Sequence, residues 1–345
     1  MTIFKSKIIN LKPQIINPPS LKREIVALQY SPSLKADWDT VLDKSLNGTF
    51  LHRREFMEYH GDRFMDASLI LYSKGLPIAI FPAEQEGNTV YSHRGLTYAG
   101  WIIARGLAAN EVEEIIAETL AYYQDENLTQ VEVRMVPDFF ARGSQDYLHA
   151  ALLNTGARKT ASVTHHCTPL PFKVTDRGKR WGKRQAEKKG LEIGRSGDLR
   201  TFWEKILVPN LKDRHRVSPT HSLVEIEKLQ QRFPSHIHFF TVMKNGEMLG
   251  AAVVFETDTT AHLQYIAASS QGKSLRCLDM LVSWLIEVAY SEKAYFNMGV
   301  SHIPATGAIN QGLVQWKESF GGKPVEVGTY RLSTTHRQSN INFLY

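Results

Sequence analysis

The chain has 345 residues, of which 43% are hydrophobic and 22% charged, and its formal net charge is +6. This length predicts two domains, and the composition is typical of a globular protein with a sizeable core. The two cysteines, Cys167 and Cys277, lack the spacing of metal ligands, which argues against a disulfide framework and a structural zinc site.

The sequence also bears on location and partners. The N-terminus carries no apolar run of signal-peptide length, and no stretch approaches the roughly 20 apolar residues of a membrane span. We therefore expect a cytoplasmic protein of bacterial type without a transmembrane segment, and peripheral contact with the inner face of the membrane stays open. The positive charge favours anionic partners such as nucleotides, coenzyme A, tRNA or lipid headgroups.

Hydrophobic periodicity predicts the elements of the first half of the chain. Residues 1–24, which contain three prolines, are expected to form an irregular N-terminal arm. The helices predicted after this arm lie at 33–46, 50–60 and 110–127. The predicted strands lie at 67–72, 76–83, 89–92 and 131–135.

The second half repeats this order of elements after an extended segment and a basic helix at 179–190. Its other predicted helices lie at 198–208, 222–232 and 275–291, and its strands at 239–244, 248–256, 261–267 and 295–298. Because hairpin, strand, turn, long helix and strand recur, we predict an α/β (α+β) protein with two tandem domains, 25–165 and 166–345. Each domain is expected to be a mixed, mainly antiparallel sheet flanked by helices.

The most informative segment is a strand that leads through a turn of small residues into an apolar helix. Such a turn leaves backbone N–H groups that bind phosphate, so it predicts a transferase with a phosphate-bearing donor or acceptor. The turn residues expected to bind the donor are Ala268, Ser269, Ser270, Gln271, Gly272 and Lys273.

Polar side chains near this turn are candidates for catalysis, and each also has a structural interpretation. His262 lies on the strand with Gln264 and Tyr265, so these residues either orient an amine or a carbonyl, or form the hydrogen bonds of a core strand. Asp279, in the apolar helix, is either a general base whose pKa is raised by burial or a hydrogen-bonding residue near the helix start.

Further candidates lie on either side of this segment. His221 is a second candidate base, and Arg214 and Arg216 before it either hold an anionic substrate or form a loop of solvated charges. Lys317 either pairs with a phosphate or the developing oxyanion, or belongs to an exposed ion pair with Glu318.

The remaining candidates are assigned to substrate binding. Lys183 and Arg184 belong to the basic helix, which contacts RNA, a nucleotide diphosphate or lipid phosphates, or is a solvated face. Arg94 and Tyr98 are expected to line the cleft between the domains. Asn297, on the strand at 295–298, is assigned to the substrate site as well.

Six segments carry a resemblance to known enzymes, namely residues 91–98, 184–190, 218–222, 262–268, 295–301 and 317–322. The chain resembles the GNAT acyltransferase fold in tandem form, and in particular the FemABX group of peptidyl and aminoacyl transferases and FemAB-like proteins of bacterial surface-polysaccharide pathways. The resemblance implies an enzyme that moves an acyl group from acyl-CoA to an amine without a metal. The acceptor that this resemblance favours is an amino sugar of a cell-envelope glycan or of its nucleotide- or lipid-linked precursor.

Two departures from these families leave alternatives open. The chain has no counterpart of the long helical hairpin found in some FemABX members, and residues 271–276 match the GNAT pattern at the CoA pyrophosphate loosely. The alternatives are an aminoacyl-tRNA-dependent transferase and a binding module of GNAT fold without catalysis. The sequence is compatible with a monomer and with a homodimer.

Overall fold

A computed structural model describes residues 25–195, 198–215, 217–302 and 307–335. The side chains of Asp62, Arg214 and His215 lie outside this description, as does the arm predicted for residues 1–24.

Helices and strands alternate along the described residues. The α-helices are α1 (Lys35–Lys44), α2 (Arg54–Met57), α3 (Ala109–Asp125), α4 (Asp146–Asn154), α5 (Arg177–Lys188), α6 (Leu199–Thr201), α7 (Val208–His215), α8 (Leu223–Arg232), α9 (Ser270–Ser274), α10 (Cys277–Trp284) and α11 (Gln311–Glu318). The strands are β1 (Ile25–Gln29), β2 (Met65–Asp66), β3 (Leu69–Ser73), β4 (Leu76–Phe81), β5 (Glu84–Glu86), β6 (Thr89–Tyr91), β7 (Ile102–Ile103), β8 (Gln130–Arg134), β9 (Arg158–Pro169), β10 (Glu192–Gly194), β11 (Ile237–Lys244), β12 (Glu247–Glu256), β13 (Thr260–Ala268), β14 (Tyr295–Val300) and β15 (Lys323–Ser333).

These strands form two sheets. The small sheet has the order β1-β3-β4-β7, and the large one has the order β10-β11-β12-β13-β14-β9-β15-β8-β6-β5-β2. The pairs β13–β14 and β6–β8 are parallel, and the other named pairs are antiparallel. The predicted fold class, mixed and mainly antiparallel sheets flanked by helices, is confirmed.

The long strands β9 and β15 join the two halves of the chain. β9 follows the first half in sequence but pairs with β14 of the second half, whereas β15 ends the second half but pairs with β8 of the first. The two strands also pair with each other. The large sheet is therefore continuous, and the boundary expected at residues 165 and 166 falls inside β9. A division into two domains stays a proposal, in which each half contributes one strand to the other.

An apolar core lies between the halves as well. Phe50 and Phe56 of the first half contact each other edge-to-face, and both contact Phe255 on β12. All three rings are buried in one cluster with Tyr265 of β13. The halves thus share apolar burial in addition to strand pairing, which fixes the position of β13 against the first half.

The structure differs from the predicted helices at two points. The helix predicted at 50–60 is broken at Arg53, which is extended (φ −63°, ψ 138°), into a 3₁₀ turn and the short α2. The helix predicted at 275–291 begins at Cys277, because Arg276 adopts a left-handed conformation (φ 62°) that separates α9 from α10. The elements that the periodicity did not predict include the helices α4, α7 and α11 and the strands β1, β9 and β15.

The glycine in α9 has a packing role that can be tested. A Cβ atom at Gly272 would lie 2.1 Å from the Leu249 carbonyl oxygen on β12 and 2.9 Å from the Cys277 sulfur. We expect Gly272→Ala to lower the free energy of unfolding by about 1–3 kcal/mol, because the backbone contact between α9 and β12 must open. Urea denaturation measures this change.

Gly312→Ala in α11 is the matched control, since its Cβ atom would come no closer than 3.6 Å to a neighbouring heavy atom, Asn310 Oδ1. This variant is expected to be neutral, or more stable by up to about 1 kcal/mol, because alanine favours the helix. Equal destabilisation by both substitutions would contradict the packing role of Gly272.

Candidate active site

The candidate site lies where β13 and β14 separate. The two strands pair in parallel over three residues only, and the last pair is His262 with Asn297. β13 nevertheless continues to Ala268 and β14 to Val300, and Gly299 with φ 68° bends β14 away. One edge of β13 beyond His262 therefore faces a cleft instead of β14.

A β-bulge in β13 arranges the polar side chains beside this cleft. The register against β12 changes from Tyr265 opposite Val253 to Leu263 opposite Val254, so Gln264 is the extra residue. Strict alternation would put Gln264 and Tyr265 on opposite faces of the sheet. The bulge instead brings the Gln264 side chain close to the Tyr265 hydroxyl.

Asn297 holds the histidine at the point of separation. Its Oδ1 atom accepts hydrogen bonds from His262 Nδ1 at 2.6 Å and from the Gly299 N–H at 3.0 Å, while its Nδ2 atom donates to Cys167 Sγ at 2.8 Å. Because Oδ1 can only accept, His262 carries its proton on Nδ1 and has a lone pair on Nε2. Burial lowers the pKa of His262 to about 4, so the ring is neutral at pH 7.

His221 has the other arrangement of its ring proton. The Tyr265 hydroxyl accepts a hydrogen bond from the His221 backbone N–H at 3.1 Å and lies 2.6 Å from His221 Nδ1. We assign the hydroxyl proton to this second contact, which makes Nδ1 the acceptor. His221 then carries its proton on Nε2. Burial lowers the pKa of His221 to about 4 as well. Of the two histidines, His262 therefore offers a lone pair and His221 an N–H group.

Lys317 fixes the end of β14. Its Nζ atom donates to the carbonyl oxygens of Gly299 at 2.8 Å and Val300 at 2.6 Å. Only 3% of the residue is exposed, so the alternative of an exposed ion pair with Glu318 is wrong. Burial lowers the pKa of Lys317 to about 7. The ammonium group thus satisfies two carbonyls that the bend in β14 has released.

A pocket of about 390 Å³, here called the β13 pocket, opens along the free edge of that strand. Its lining comes from β13, α7, α9, α10, α11 and the residues directly before α7 and α11, and it is mainly apolar: Leu207, Asn210, Leu211, Ile266, Ala267, Ala268, Lys273, Leu278, Asn310, Gly312, Leu313 and Trp316. Lys273, whose ammonium group contacts the Asn210 side chain, is the cation of this lining.

The predicted donor turn is partly closed by its own hydrogen bonds. Ser269 donates its N–H to the Leu249 carbonyl at 2.9 Å, and its hydroxyl accepts the Gly272 N–H at 3.0 Å. Ser270 and Gln271 are exposed. Of the six residues predicted to bind the donor, Ala268 and Lys273 line the β13 pocket.

A second pocket of about 180 Å³, the cleft pocket, lies between the two halves. Its lining combines apolar and polar side chains of both: Leu51, Phe56, Arg94, Gly95, Leu96, Thr97, Thr220, His221, Phe255 and Gln264. The Gln264 Oε1 atom is buried and makes no hydrogen bond within the described part of the chain. Residues of one strand, β13, therefore line both pockets.

Asp279 lies in an ion pair that joins two helices. Its Oδ1 atom accepts from Lys179 Nζ of α5 at 2.9 Å, and Oδ2 lies 3.4 Å from Arg276 Nε. Gly182 of α5 allows this close contact, since a Cβ atom there would lie 2.2 Å from Oδ2. The ion pair gives Asp279 a structural reason for its burial, and its role as a base stays a prediction.

The predicted substrate residues are distributed over several environments. Arg94 lines the cleft pocket and pairs through Nε with Glu84 at 2.8 Å. Tyr98 is buried in the core between the halves, where its hydroxyl donates to Thr49 Oγ1 at 3.2 Å.

Two basic candidates, Lys183 and Arg184, lie outside both pocket linings. Lys183 pairs with Glu287 at 2.7 Å, and Arg184 is exposed on α5. Arg216 and the side chain of Arg214 lie outside the described residues.

Sequence reasoning did not assign several residues that the fold brings to the site. Cys167 and His165 reach Asn297 because β9 pairs with β14, and Asn210 and Trp316 reach the β13 pocket from α7 and α11. The only local signal was a His-His-Cys run within an extended segment. This run lies in β9, and the strand with which it pairs, β14, is about 130 residues away in the sequence. Hydrophobic periodicity does not predict a pairing over such a separation.

Within the described residues, no group of three or more His, Cys, Asp or Glu side chains is arranged to hold a metal ion. In the same part of the chain, no helix has the length and apolarity needed to cross a bilayer.

The lowered pKa of Lys317 predicts a pH dependence of stability. Its value of about 7 in the folded protein lies below the 10.5 of an ordinary lysine, so the unfolded chain binds more protons between these pH values. Stability therefore rises with pH in this window, by at most about 1.4 kcal/mol per pH unit. We expect the free energy of unfolding of the wild type, relative to Lys317→Met, to rise by roughly 1–2 kcal/mol between about pH 7 and 9.

Chemical denaturation at several pH values measures this difference. Lys228→Met is the control, because Lys228 is exposed on α8. The free energy of unfolding of the wild type relative to Lys228→Met is expected not to change with pH. Parallel pH profiles for the wild type and Lys317→Met would show that Lys317 stays charged throughout.

Comparisons with known proteins agree with this architecture. No family model and no curated protein matches the chain. The crystal structure of FemX superimposes with a TM-score of 0.63 at 14% identity, covering 88% of this chain and 96% of FemX. The C-terminal domain of a protein described as a lysylphosphatidylglycerol synthetase from Agrobacterium fabrum gives 0.55 at 12% identity, covering 87% and 92%. L-PGS from Bacillus licheniformis gives 0.53 at 14%, covering 88% and 91%.

These likenesses extend over most of each chain, at sequence identities that show the fold alone. The chain has the fold of FemX, and the FemAB-like fold that the sequence resemblance implied is confirmed.

Proposed function

We propose that the protein is an acyltransferase that moves an acyl group from an activated donor to an amine. The observation that carries this proposal is the separation of β13 from β14 at His262 and Asn297, beside two pockets that β13 helps to line. A donor in the β13 pocket and an acceptor in the cleft pocket would meet at this junction. The FemX-like fold supports a transferase of this type.

The β13 pocket suits an acyl thioester of coenzyme A. The free edge of β13 offers backbone N–H and C=O groups, and an extended arm with amide groups can pair with such an edge as an added strand. Apolar side chains of Leu278, Leu313 and Trp316 border the pocket, while Lys273 provides a positive charge for a phosphate. Acyl-CoA combines an amide-bearing arm with phosphates, so we propose it as the donor.

The cleft pocket suits an uncharged acceptor group. The pKa of His221 is lowered to about 4 by burial, and the Arg94 guanidinium is paired with Glu84 and Glu86. Little net charge is left for a phosphate. The buried Gln264 Oε1 atom instead accepts a hydrogen bond from an amine or a hydroxyl group. The amino sugar of a glycan precursor, with its phosphates outside the pocket, fits this chemistry.

The transfer then requires that the amine and the thioester be held next to each other and that one group accept the amine proton. The amine nitrogen attacks the thioester carbonyl, the C–N bond forms, and the C–S bond breaks from a tetrahedral intermediate to release the thiolate. His262 Nε2 accepts the amine proton, since Nδ1 is held by Asn297. His262 then passes this proton to solvent or to the departing thiolate. Lys317 keeps the end of β14 in place and puts a positive charge near the junction.

The donor is tested by binding and turnover with the purified protein. We expect acetyl-CoA and longer acyl-CoA esters to raise the melting temperature, and an amino-sugar acceptor to release free thiol in their presence. Aminoacyl-tRNA is the rival donor, because FemABX proteins are peptidyl and aminoacyl transferases. If only aminoacyl-tRNA stabilised the protein and supported turnover, the donor would be aminoacyl-tRNA and not acyl-CoA. A lack of turnover with both donors over a panel of amines would favour a binding module.

The two histidines are distinguished by matched substitutions. We expect His262→Gln to lower kcat by about 10²-fold or more, because it removes the lone pair that accepts the amine proton. His221→Gln is expected to raise KM and change kcat by less than about tenfold, since its ring donates rather than accepts. Steady-state kinetics of both variants give these values. A large loss of kcat in His221→Gln with a near-normal His262→Gln would reverse the assignment.

A further inference from the structure

The positive charge of the chain is concentrated in one segment. Residues 173–189 contain eight lysines and arginines and two carboxylates, which gives a net charge of +6. This equals the formal net charge of the whole 345-residue chain, so the rest of the sequence is neutral in sum. The segment consists of α5 and its flanks, and a surface of this charge density favours a polyanionic partner.

One side of α5 is used for packing inside the protein. Gly182 and Ala186 are buried against the second half. Lys179 pairs with Asp279, and Lys183 pairs with Glu287. These ion pairs hold α5 firmly on α10, so the opposite side of the helix is presented on a rigid support.

The opposite side is a stripe of exposed cations with an aromatic ring at its centre. We call it the outer face of α5, and it consists of Arg177, Arg180, Trp181, Arg184 and Lys188. The intervals of three or four residues place these side chains along one flank of the helix. The Trp181 side chain is 54% exposed, which is unusual for so large an apolar group.

A neighbouring helix extends this surface. The Arg276 guanidinium carbon lies 5.5 Å from the centre of the Trp181 ring, which adds a cation from the start of α10. The surface therefore combines several cations with a single tryptophan on a convex helix. Tryptophan side chains prefer the interface between lipid headgroups and acyl chains, and cations near anionic lipids add to the attraction.

We propose that the outer face of α5, together with Arg276, docks the protein on a bilayer that contains anionic phospholipid. Single-stranded nucleic acid is bound by several aromatic side chains along a basic groove, whereas this face has one tryptophan on one helix. The low hydrophobicity of α5 fits contact with the headgroups rather than deep insertion.

Docking in this orientation has a consequence for the β13 pocket. Lys273, which lines that pocket, precedes Arg276 by three residues. Trp316, another lining residue, has its ring centre 5.8 Å from Lys179 Nζ of α5. The β13 pocket, which is the proposed donor site, therefore lies close to the docking surface.

Vesicle flotation of the full chain tests the proposal. The protein is mixed with vesicles of phosphatidylcholine alone or with added phosphatidylglycerol, at low and physiological salt. We expect binding to the anionic vesicles and not to the neutral ones, weakening as salt increases. Arg180→Glu combined with Arg184→Glu is expected to reduce the affinity at least about tenfold. Trp181→Ala is expected to reduce the affinity at both salt concentrations.

The control is Lys205→Glu combined with Lys228→Glu, which changes the net charge by the same amount at exposed positions outside α5. It is expected to bind anionic vesicles about as well as the wild type. Equal losses in the two double variants would mean that overall charge, not this face, is responsible, and would overturn the proposal. Absence of vesicle binding, or displacement from vesicles by tRNA at equal phosphate concentration, would overturn it too.

Discussion

The early end of the β13–β14 pairing is the constraint on which the site depends. Strands that separate leave buried N–H and C=O groups without partners, and such groups are costly unless side chains satisfy them. Asn297 accepts the Gly299 N–H, and Lys317 donates to the carbonyls of Gly299 and Val300. The same Asn297 oxygen holds His262 Nδ1. The residues that stabilise the open strands thus also determine which ring nitrogen of the histidine is free.

The exchange of β9 and β15 between the halves explains why the site contains residues from distant parts of the chain. β9 brings Cys167 and His165 against Asn297, while β15 returns to pair with β8. The shared apolar core around Phe50 and Phe255 packs the two halves against each other beside the cleft pocket. Strand pairing and apolar burial thus hold together the elements that line both pockets.

The neutral histidines near the β13–β14 junction and the exposed cations of α5 lie in different parts of the structure. The histidines near the junction are neutral because burial lowers their pKa values, and the buried ion pairs of Asp279 and Glu287 are used to hold α5 in place. The outer face of α5 carries four exposed cations, Arg177, Arg180, Arg184 and Lys188, close together on one helix. In the proposed function, the acceptor amine binds in a nearly uncharged pocket, and a separate basic surface docks on an anionic bilayer.

The sequence by itself determined the order of most elements, the mixed sheet and the strand from His262 to Tyr265, because apolar periodicity and turn residues report local structure. It also indicated Lys317 and Asn297 through a family resemblance. Tertiary structure decided which strands pair, and this cannot be read from local pattern because the partners lie about 130 residues apart. It placed Asp279 in an ion pair with Lys179, added the bulge at Gln264, and buried Lys317 enough to lower its pKa to about 7. Each of these outcomes depends on what packs against a residue, and burial of that kind arises only when segments distant in the sequence pack together.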